Sequence, residues 1–551
     1  MDEHCYVAVD VGTTSVRAAV ISKTGKLLTF SSQDIEIWKP SCDMYEQSSE
    51  NVWSCLCAAV QKACISVNKD KIFGIGFDAT CSLVVLDKYG KPISVSANET
   101  TNQNIILWMD HRAVKEAEII NNTHHHLLNY VGGKISPEMQ APKILWLKNN
   151  LDCERWRNIS LFFDLPDFLT YKATGYTSRS LCSVACKFNY FVEPFHKLNN
   201  DSSGWIPSFW ESIGLEEFVC DDFERLGKLI CDPGTKLGKG LTIEAAKELN
   251  LPIGLPVAAS LIDAHAGGLG MVGANIEYEL SSVSLTSRLA IISGTSSCHL
   301  VVSNDATFVP GVWGPYYSAM IPKYWLNEGG QSATGELIDY VLHTHPAWKL
   351  IVEKANLSKS TVHEEVEFTV NEFAKNLEHY AYLAEDCHVY PDFHGNRSPI
   401  ADASLKGMLT GLSLAKDLKN LVTLYVSTIQ AIACGTKQII DRLNASGFLI
   451  KVIMLCGGLS KNRIFVECHS DVTGLPVILP RESESTLVGS AILAANAAGD
   501  FNSIEDAMTA MSASGKTFYP NNDLKRFYEK KYEIFMKMQE DQLVYRQIMA
   551  S

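Results

Sequence analysis

Tyr6-Val-Ala-Val-Asp10-Val-Gly-Thr-Thr-Ser15 reads as a strand that ends in a carboxylate and turns through Gly12, Thr13 and Thr14 into a second strand, Val16 to Ser22. Such a turn gathers backbone N–H groups and hydroxyls around one small concavity, which suits a phosphate. The pattern returns about half a chain later. Leu289-Ala-Ile-Ile-Ser293 runs into Gly294, Thr295, Ser296 and Ser297, and then into Cys298-His-Leu-Val-Val302. One such turn by itself is an ordinary hairpin. Two in matched context point to a duplicated domain that closes on a nucleotide's phosphate tail from both sides.

The chain has 551 residues, 46% of them hydrophobic. That is more than one core usually holds, so the reading is two large domains, residues 1–275 and 285–551. The polar, Ser-rich stretch from Ile276 to Ser287 is the expected boundary. A net charge of −14 without Lys/Arg blocks argues against nucleic acid or an acidic lipid surface as a partner. Anionic nucleotides remain allowed, because turns and helix N-termini supply positive potential locally. The N-terminus is acidic and enters a strand at once, and no apolar run has membrane-spanning length, so a cytosolic location is expected. The sixteen cysteines are irregularly spaced, and most sit in apolar stretches, as reduced buried thiols do. Cys182 and Cys186 are four apart, but no second pair or histidine companion completes a zinc pattern in the sequence.

Short apolar strands alternate with amphipathic helices, which argues for an α/β fold with a covered sheet. Strands are expected at 6–10, 16–21, 72–77 and 83–87, with a helix from Val52 to Val67. Asp110 is expected to cap a helix running through Ile120. A second strand-to-helix junction ends in Asp263-Ala-His-Ala. A long helix is expected near 417–443, a strand at Val452-Ile-Met-Leu-Cys456, a helix from Ser485 to Ala498, and a charged amphipathic helix at the C-terminus, packed on the second domain.

A bound phosphoryl donor needs a metal, and Asp10 at the mouth of the first turn is placed to hold Mg²⁺, which favours one or two carboxylates plus phosphate oxygens. A phosphoryl acceptor needs a proton acceptor beside its hydroxyl. Asp263, emerging at the C-terminal edge of a buried strand, is the best placed. The ordinary role of a carboxylate there is a helix N-cap, and the residues alone leave both open. Gly457-Gly458 lets backbone approach a flat ligand, and Asn462 is placed to read an adenine or ribose edge. Gly268-x-Gly270-x-x-Gly273 matches a dinucleotide fingerprint only by letter, because it does not follow a strand. No P-loop is present.

These pieces resemble the FGGY carbohydrate kinases of the actin-like ATPase superfamily. The resemblance runs from about Tyr6 to about Gly499 and rests on seven motifs in family order: Asp10-x-Gly-Thr-Thr-Ser; Trp108-x-Asp110-x-Arg112; Asp164-Leu-Pro-Asp-Phe-Leu-Thr-Tyr-x-x-Thr-Gly175; Asp263-Ala-His-Ala-Gly; Gly294-Thr-Ser; Gly395-Asn-Arg-Ser-Pro399; and Gly457-Gly458 with Asn462. It implies two RNase H-like domains flanking an active-site cleft, with the sugar against the first domain and ATP mainly on the second. It implies that Asp263 takes the sugar hydroxyl proton and that Asp10 serves Mg²⁺. It assigns the nucleotide to Gly12, Thr13, Thr14, Gly294, Thr295, Ser296, Gly457, Gly458 and Asn462.

Phe77-Asp78-Ala79-Thr80-Cys81-Ser-Leu-Val, Lys187 in Cys186-Lys187-Phe188, and Asn327-Glu328-Gly-Gly-Gln331 look like the ribulokinase branch, where Ala79, Lys187 and Glu328 correspond to pocket positions beside the base. Lys187 and Glu328 are a donor and an acceptor suited to adjacent hydroxyls of an open-chain ketose, and Ala79 leaves room for its carbon chain. The implied activity is ATP-dependent phosphorylation of a ketopentose, D-ribulose first, with L-ribulose, xylulose or ribitol as alternatives. A non-enzymatic nucleotide-dependent binding protein of the same superfamily is the alternative of another class. A homodimer is compatible with this reading. The chain departs from many family members at Gly395-Asn396 and at Leu459-Ser460.

Overall fold

The computed structural model describes residues 4–97, 101–192, 204–276 and 283–550. Much of the stretch expected at the domain boundary, residues 277–282, lies outside them. The opening apolar run forms the strand Cys5–Val11, buried along its whole length. It pairs antiparallel with Ser15–Ser22, which pairs antiparallel with Leu27–Asp34. On its other side Ile72–Ala79 runs parallel to it, and the short strand Leu261–Ile262 runs parallel to that. The central strands are covered on both faces, so their sequences are apolar almost throughout.

The second half repeats this order. Trp325–Gln331, Ser297–Ser303 and Arg288–Ser293 pair antiparallel, and Val452–Cys456 and Val477–Pro480 continue parallel. Trp313–Tyr317 and Ser514–Phe518 extend this sheet at its two edges. The duplication read from two hairpin turns is therefore a duplication of five-strand topology. Leu83–Leu86, expected as a strand, pairs with Leu161–Asp164 in a separate five-stranded sheet.

Two buried helices tie the halves together. Asp263–Val272, from the first half, packs on the second sheet: a Cβ at Gly267 would lie 2.9 Å from Ile292. Ser485–Ala498, from the second half, packs on the first sheet: a Cβ at Gly76 would lie 2.0 Å from the Ser490 carbonyl oxygen. The two helices also touch each other, since a Cβ at Gly489 would meet the Ala266 carbonyl at 2.0 Å. Such contacts admit only glycine, because protein interiors leave no room for an added methyl group. The decoy glycines Gly268 and Gly270 belong to this packing.

Local expectations differ in two places. The first helix spans Ser49–Ala63, capped by the Ser48 side chain, and stops short of Val67. Asp110 caps no helix. Its carboxylate accepts the Tyr45 N–H at 2.7 Å and is gripped by the Arg112 guanidinium at 2.7 Å, while the helix begins at Val114 without a side-chain cap. A charged fork two residues away outcompetes a helix terminus for this carboxylate. The C-terminal helix Lys525–Ala550 packs on the second half as expected, burying Tyr528, Phe535 and Met538 in its core. All sixteen cysteines are free thiols. Among the described residues no helix is long and apolar enough to cross a membrane.

Candidate active site

The register of the first sheet brings three carboxylates to one edge. Asp10 lies opposite Asp78 in the parallel pair, and Leu261 pairs with Asp78, so the chain leaves the sheet at Asp263 beside them. Asp263 begins the helix Asp263–Val272, and its Oδ1 accepts the Ala264 N–H at 2.7 Å. Burial, then the charge of Asp10, push its carboxyl up to about 6, although the Ala264 N–H, His265 and Arg17 pull the other way. A carboxylate so tuned is mostly ionised near neutrality and still basic enough to take a proton. Ala79, expected in the pocket, pairs with Ile262 and is fully buried, and the residues that follow it, Thr80 and Cys81, line the cleft in its place.

Asp78 is fully buried, and burial together with Asp10 pushes its carboxyl well above the usual carboxylate range. The Ser490 hydroxyl donates to it at 2.6 Å. Asp10 is also fully buried, and its Oδ2 is held by Arg17 and by the Thr486 hydroxyl at 2.8 Å. The Asp10 and Asp78 carboxyls share a hydrogen-bond contact, and no other group donates to Asp10 Oδ1. A buried carboxylate oxygen with no other donor is the kind of ligand a hard divalent cation such as Mg²⁺ takes.

Asp263, with Arg17 and Thr486, lines a cavity of about 380 Å³ walled by both halves of the chain, whereas Asp10 and Asp78 are not among its lining residues. Its first-half wall includes Thr13, Cys81, Trp108, Glu138, Lys187 and Asp263; its second-half wall includes Gly294, Thr295, Ser296, Trp313, Glu328, Arg397, Gly457 and Gly458. Lys187, the last residue of the helix Leu181–Lys187, extends its ammonium to 4.0 Å from Glu328 Oε2 and 4.6 Å from the Trp313 ring. Glu328 stands on Trp325–Gln331, so this buried pair bridges the halves. Burial alone would raise the Glu328 carboxyl, but Lys187, His265 and Arg397 hold it down at about 2. Burial alone would lower the Lys187 ammonium, but Cys81, Glu328 and Cys186 hold it well above its ordinary value. Both groups stay charged in a low-dielectric wall, where hydrogen bonds to them are strong.

The Gly294 turn and Gly457-Gly458 line the same cavity. Gly294 closes its turn by donating to the Ser296 carbonyl at 2.9 Å, and the Thr334 hydroxyl braces the Gly294 carbonyl at 3.2 Å. A Cβ at Gly294 or at Gly458 would meet no atom within 4 Å, so both face open space that a ligand can fill. Gly457 has φ +92, and a Cβ there would lie 2.4 Å from the Ser293 carbonyl oxygen, which locks the strand end against the Gly294 turn. The first turn contributes less surface. Thr13 lines the cavity and accepts a hydrogen bond from the Trp108 indole at 3.1 Å, whereas the Gly12 N–H is spent on the Ser15 carbonyl at 3.0 Å, and neither Gly12 nor Thr14 reaches the lining.

Asn462 does not line the cavity. Its Oδ1 caps the helix Arg463–Thr473 through the Phe465 N–H at 3.1 Å, and its Nδ2 donates to the Tyr425 hydroxyl at 2.7 Å. Lys461, one residue earlier, lines the cavity in its place. The residues alone did not single out Arg17, Glu138 or Glu484. Arg17 bridges Asp10 and Glu484, the latter at 2.8 Å. Glu138 pairs across the halves with Arg397 at 3.3 Å, and Arg397 lies between the rings of Trp108 and Trp313 at 6.0 and 5.8 Å. Arg397 belongs to the Gly395-Asn-Arg-Ser-Pro399 motif, and the other three carry no local pattern.

The model of the FGGY family of carbohydrate kinases, N-terminal domain, matches residues 5–270, and that of its C-terminal domain matches residues 289–498. The chain belongs to the FGGY family of carbohydrate kinases. The FGGY carbohydrate kinase domain-containing protein of Homo sapiens is 50% identical over 99% of this chain and 98% of its own length. The D-ribulokinase of Saccharomyces cerevisiae is 39% identical over 92% of this chain and 73% of its own length. Among solved structures, a xylulose kinase from Brucella ovis superposes with TM-score 0.78 at 18% identity, covering 98% of this chain and all of that one. The Plasmodium falciparum glycerol kinase with ADP gives TM-score 0.73 at 16% identity, covering 98% of both chains. The two-domain architecture is thus the FGGY kinase fold, and the protein is a carbohydrate kinase, a phosphotransferase of a family that uses ATP.

Proposed function

We propose that this FGGY kinase transfers the γ-phosphoryl group of ATP to the terminal hydroxyl of a ketopentose, D-ribulose, giving D-ribulose 5-phosphate and ADP. The observation that carries the reading is that Asp263, the open Gly294 turn and the charged pair Lys187 and Glu328 line one cavity. The 39% identity to a yeast D-ribulokinase supports the choice of sugar. Lys187 donates to one sugar oxygen and Glu328 accepts from a neighbouring hydroxyl, which orients an open-chain ketose with its terminal hydroxyl toward Asp263. As the oxygen–phosphorus bond forms and the bond to the β-phosphate oxygen breaks, the hydroxyl proton passes to the Asp263 carboxylate. In a loose transfer the proton leaves late, so positioning supplies most of the rate. The Gly294–Ser296 turn and Gly457-Gly458 hold the nucleotide through backbone groups. Asp10 would hold Mg²⁺, directly or through water, and the ion would supply charge neutralisation on the phosphate oxygens. Closure of the two halves, already bridged by Lys187–Glu328 and Glu138–Arg397, excludes water as a competing acceptor.

The test is an ADP-release screen of the purified protein against D-ribulose, L-ribulose, D-xylulose, ribitol and glycerol. D-Ribulose is expected to give the highest kcat/KM. A pentitol or another pentulose in first place would reassign the substrate, and sugar-independent nucleotide turnover alone would overturn the kinase reading.

A further inference from the structure

Behind the sugar wall, two helices present a set of ligand atoms that the cleft chemistry does not use. Cys182 and Cys186 lie four residues apart on Leu181–Lys187, which puts both thiols on one face. His265, in the first turn of Asp263–Val272, faces them. The two sulfurs and one imidazole nitrogen lie within 4.8 Å of one another, and all three residues are buried. The histidine companion missing from the local sequence is supplied by the fold, 83 positions from Cys182.

We propose that Cys182, Cys186 and His265 form a binding site for a zinc-like divalent cation. Cys182 Sγ stands 3.6 Å from His265 Nδ1. Tetrahedral Zn²⁺, with bonds of about 2.3 Å to sulfur and about 2.0–2.1 Å to nitrogen, holds such a pair about 3.5 Å apart. Two thiolates, a neutral imidazole and a divalent cation sum to zero charge, so the filled site buries no net charge; two protons leave on binding. His265 Nε2 faces Glu328 Oε2 at 3.4 Å. This is the outer carboxylate that keeps the proton on the far ring nitrogen and the lone pair toward a metal. Soft sulfur ligands with imidazole select Zn²⁺ over Mg²⁺ or Ca²⁺. Three protein ligands leave a fourth position for water.

The site has a positioning consequence. Cys186 immediately precedes Lys187, and His265 follows Asp263 by two residues. A bound ion would therefore clamp the helix that ends in the pocket ammonium to the helix that begins with the proposed base.

The test uses the full-length chain produced in zinc-supplemented medium, dialysed against metal-free buffer and analysed by plasma mass spectrometry. About one zinc per chain is expected, falling below about a tenth in Cys182→Ser and in Cys186→Ser. Cys434→Ser, a buried thiol elsewhere, should keep the metal. Should a serine variant fail to fold, Co²⁺ replacement in the unmutated chain decides instead: a thiolate-to-cobalt charge-transfer band in the near ultraviolet is expected. Wild-type protein with less than about a tenth of an equivalent of zinc and no cobalt band would mean a thiol–imidazole hydrogen bond only, and would overturn the proposal. Zinc retained equally by both serine variants would place the metal elsewhere and overturn it too.

Discussion

Asp263→Asn is expected to lower kcat for sugar phosphorylation by about 10²- to 10⁴-fold while leaving the fold intact. Asparagine has the same shape, and its side-chain oxygen can still accept the Ala264 N–H that Oδ1 now receives at 2.7 Å. The helix start is therefore preserved. What is lost is the negative charge proposed to accept the hydroxyl proton. That charge is uncomfortable in the resting protein, since burial and Asp10 both push the carboxyl up to about 6. The melting temperature should accordingly hold or rise, a separation of stability from activity that a merely structural carboxylate would not give. Steady-state ADP release at saturating ATP and sugar, together with a thermal scan, reads both quantities. A kcat within a few-fold of wild type would remove Asp263 from the role of base.

Lys187→Ala is expected to raise the sugar KM by about 10- to 100-fold, the worth of one lost charge-assisted hydrogen bond, and to move the ATP KM far less. Lys187 lines the cavity beside the Trp313 ring and Glu328, its partner in the pair proposed to hold the sugar. Removing it also leaves Glu328 buried with Arg397 as a remaining cationic neighbour and the His265 ring beside it. Breaking a buried pair by deleting one partner is more costly than replacing both. The melting temperature should therefore fall in Lys187→Ala and recover in part in Lys187→Met combined with Glu328→Gln, whereas the sugar KM should stay high in both. Kinetics on the single and double variants measure this split. A larger change in the ATP KM than in the sugar KM would take Lys187 out of the sugar pocket.

The features legible in the sequence were those written in short stretches. The alternation from Tyr6 to Asp10, its echo before Gly294, and Asp263 at a strand end are each local, and they fixed the duplicated α/β plan and the carboxylate facing the cleft. Features set by register were not legible. Asp78 joins Asp10 and Asp263 only because Ile72–Ala79 pairs in parallel with Cys5–Val11. Arg17 is occupied by Glu484, a residue 467 positions away. Polar residues at turns were the main source of error, because their oxygens serve nearby donors as readily as distant ligands. Asn462 caps a helix instead of facing the cavity, and Asp110 receives Arg112 instead of capping one. Lys187 and Glu328 came from family resemblance, and the fold gives a physical reason for them, a charged pair spanning two half-chains.

The central claim is that Asp263 faces the hydroxyl to be phosphorylated while the Gly294 turn faces the incoming phosphate. A crystal structure with D-ribulose and a non-hydrolysable ATP analogue measures this directly. The account predicts the terminal sugar hydroxyl within about 2.6–3.2 Å of an Asp263 carboxylate oxygen, with the γ-phosphorus on its far side. A sugar bound with every hydroxyl out of reach of Asp263, or a γ-phosphate directed away from it, would contradict the account.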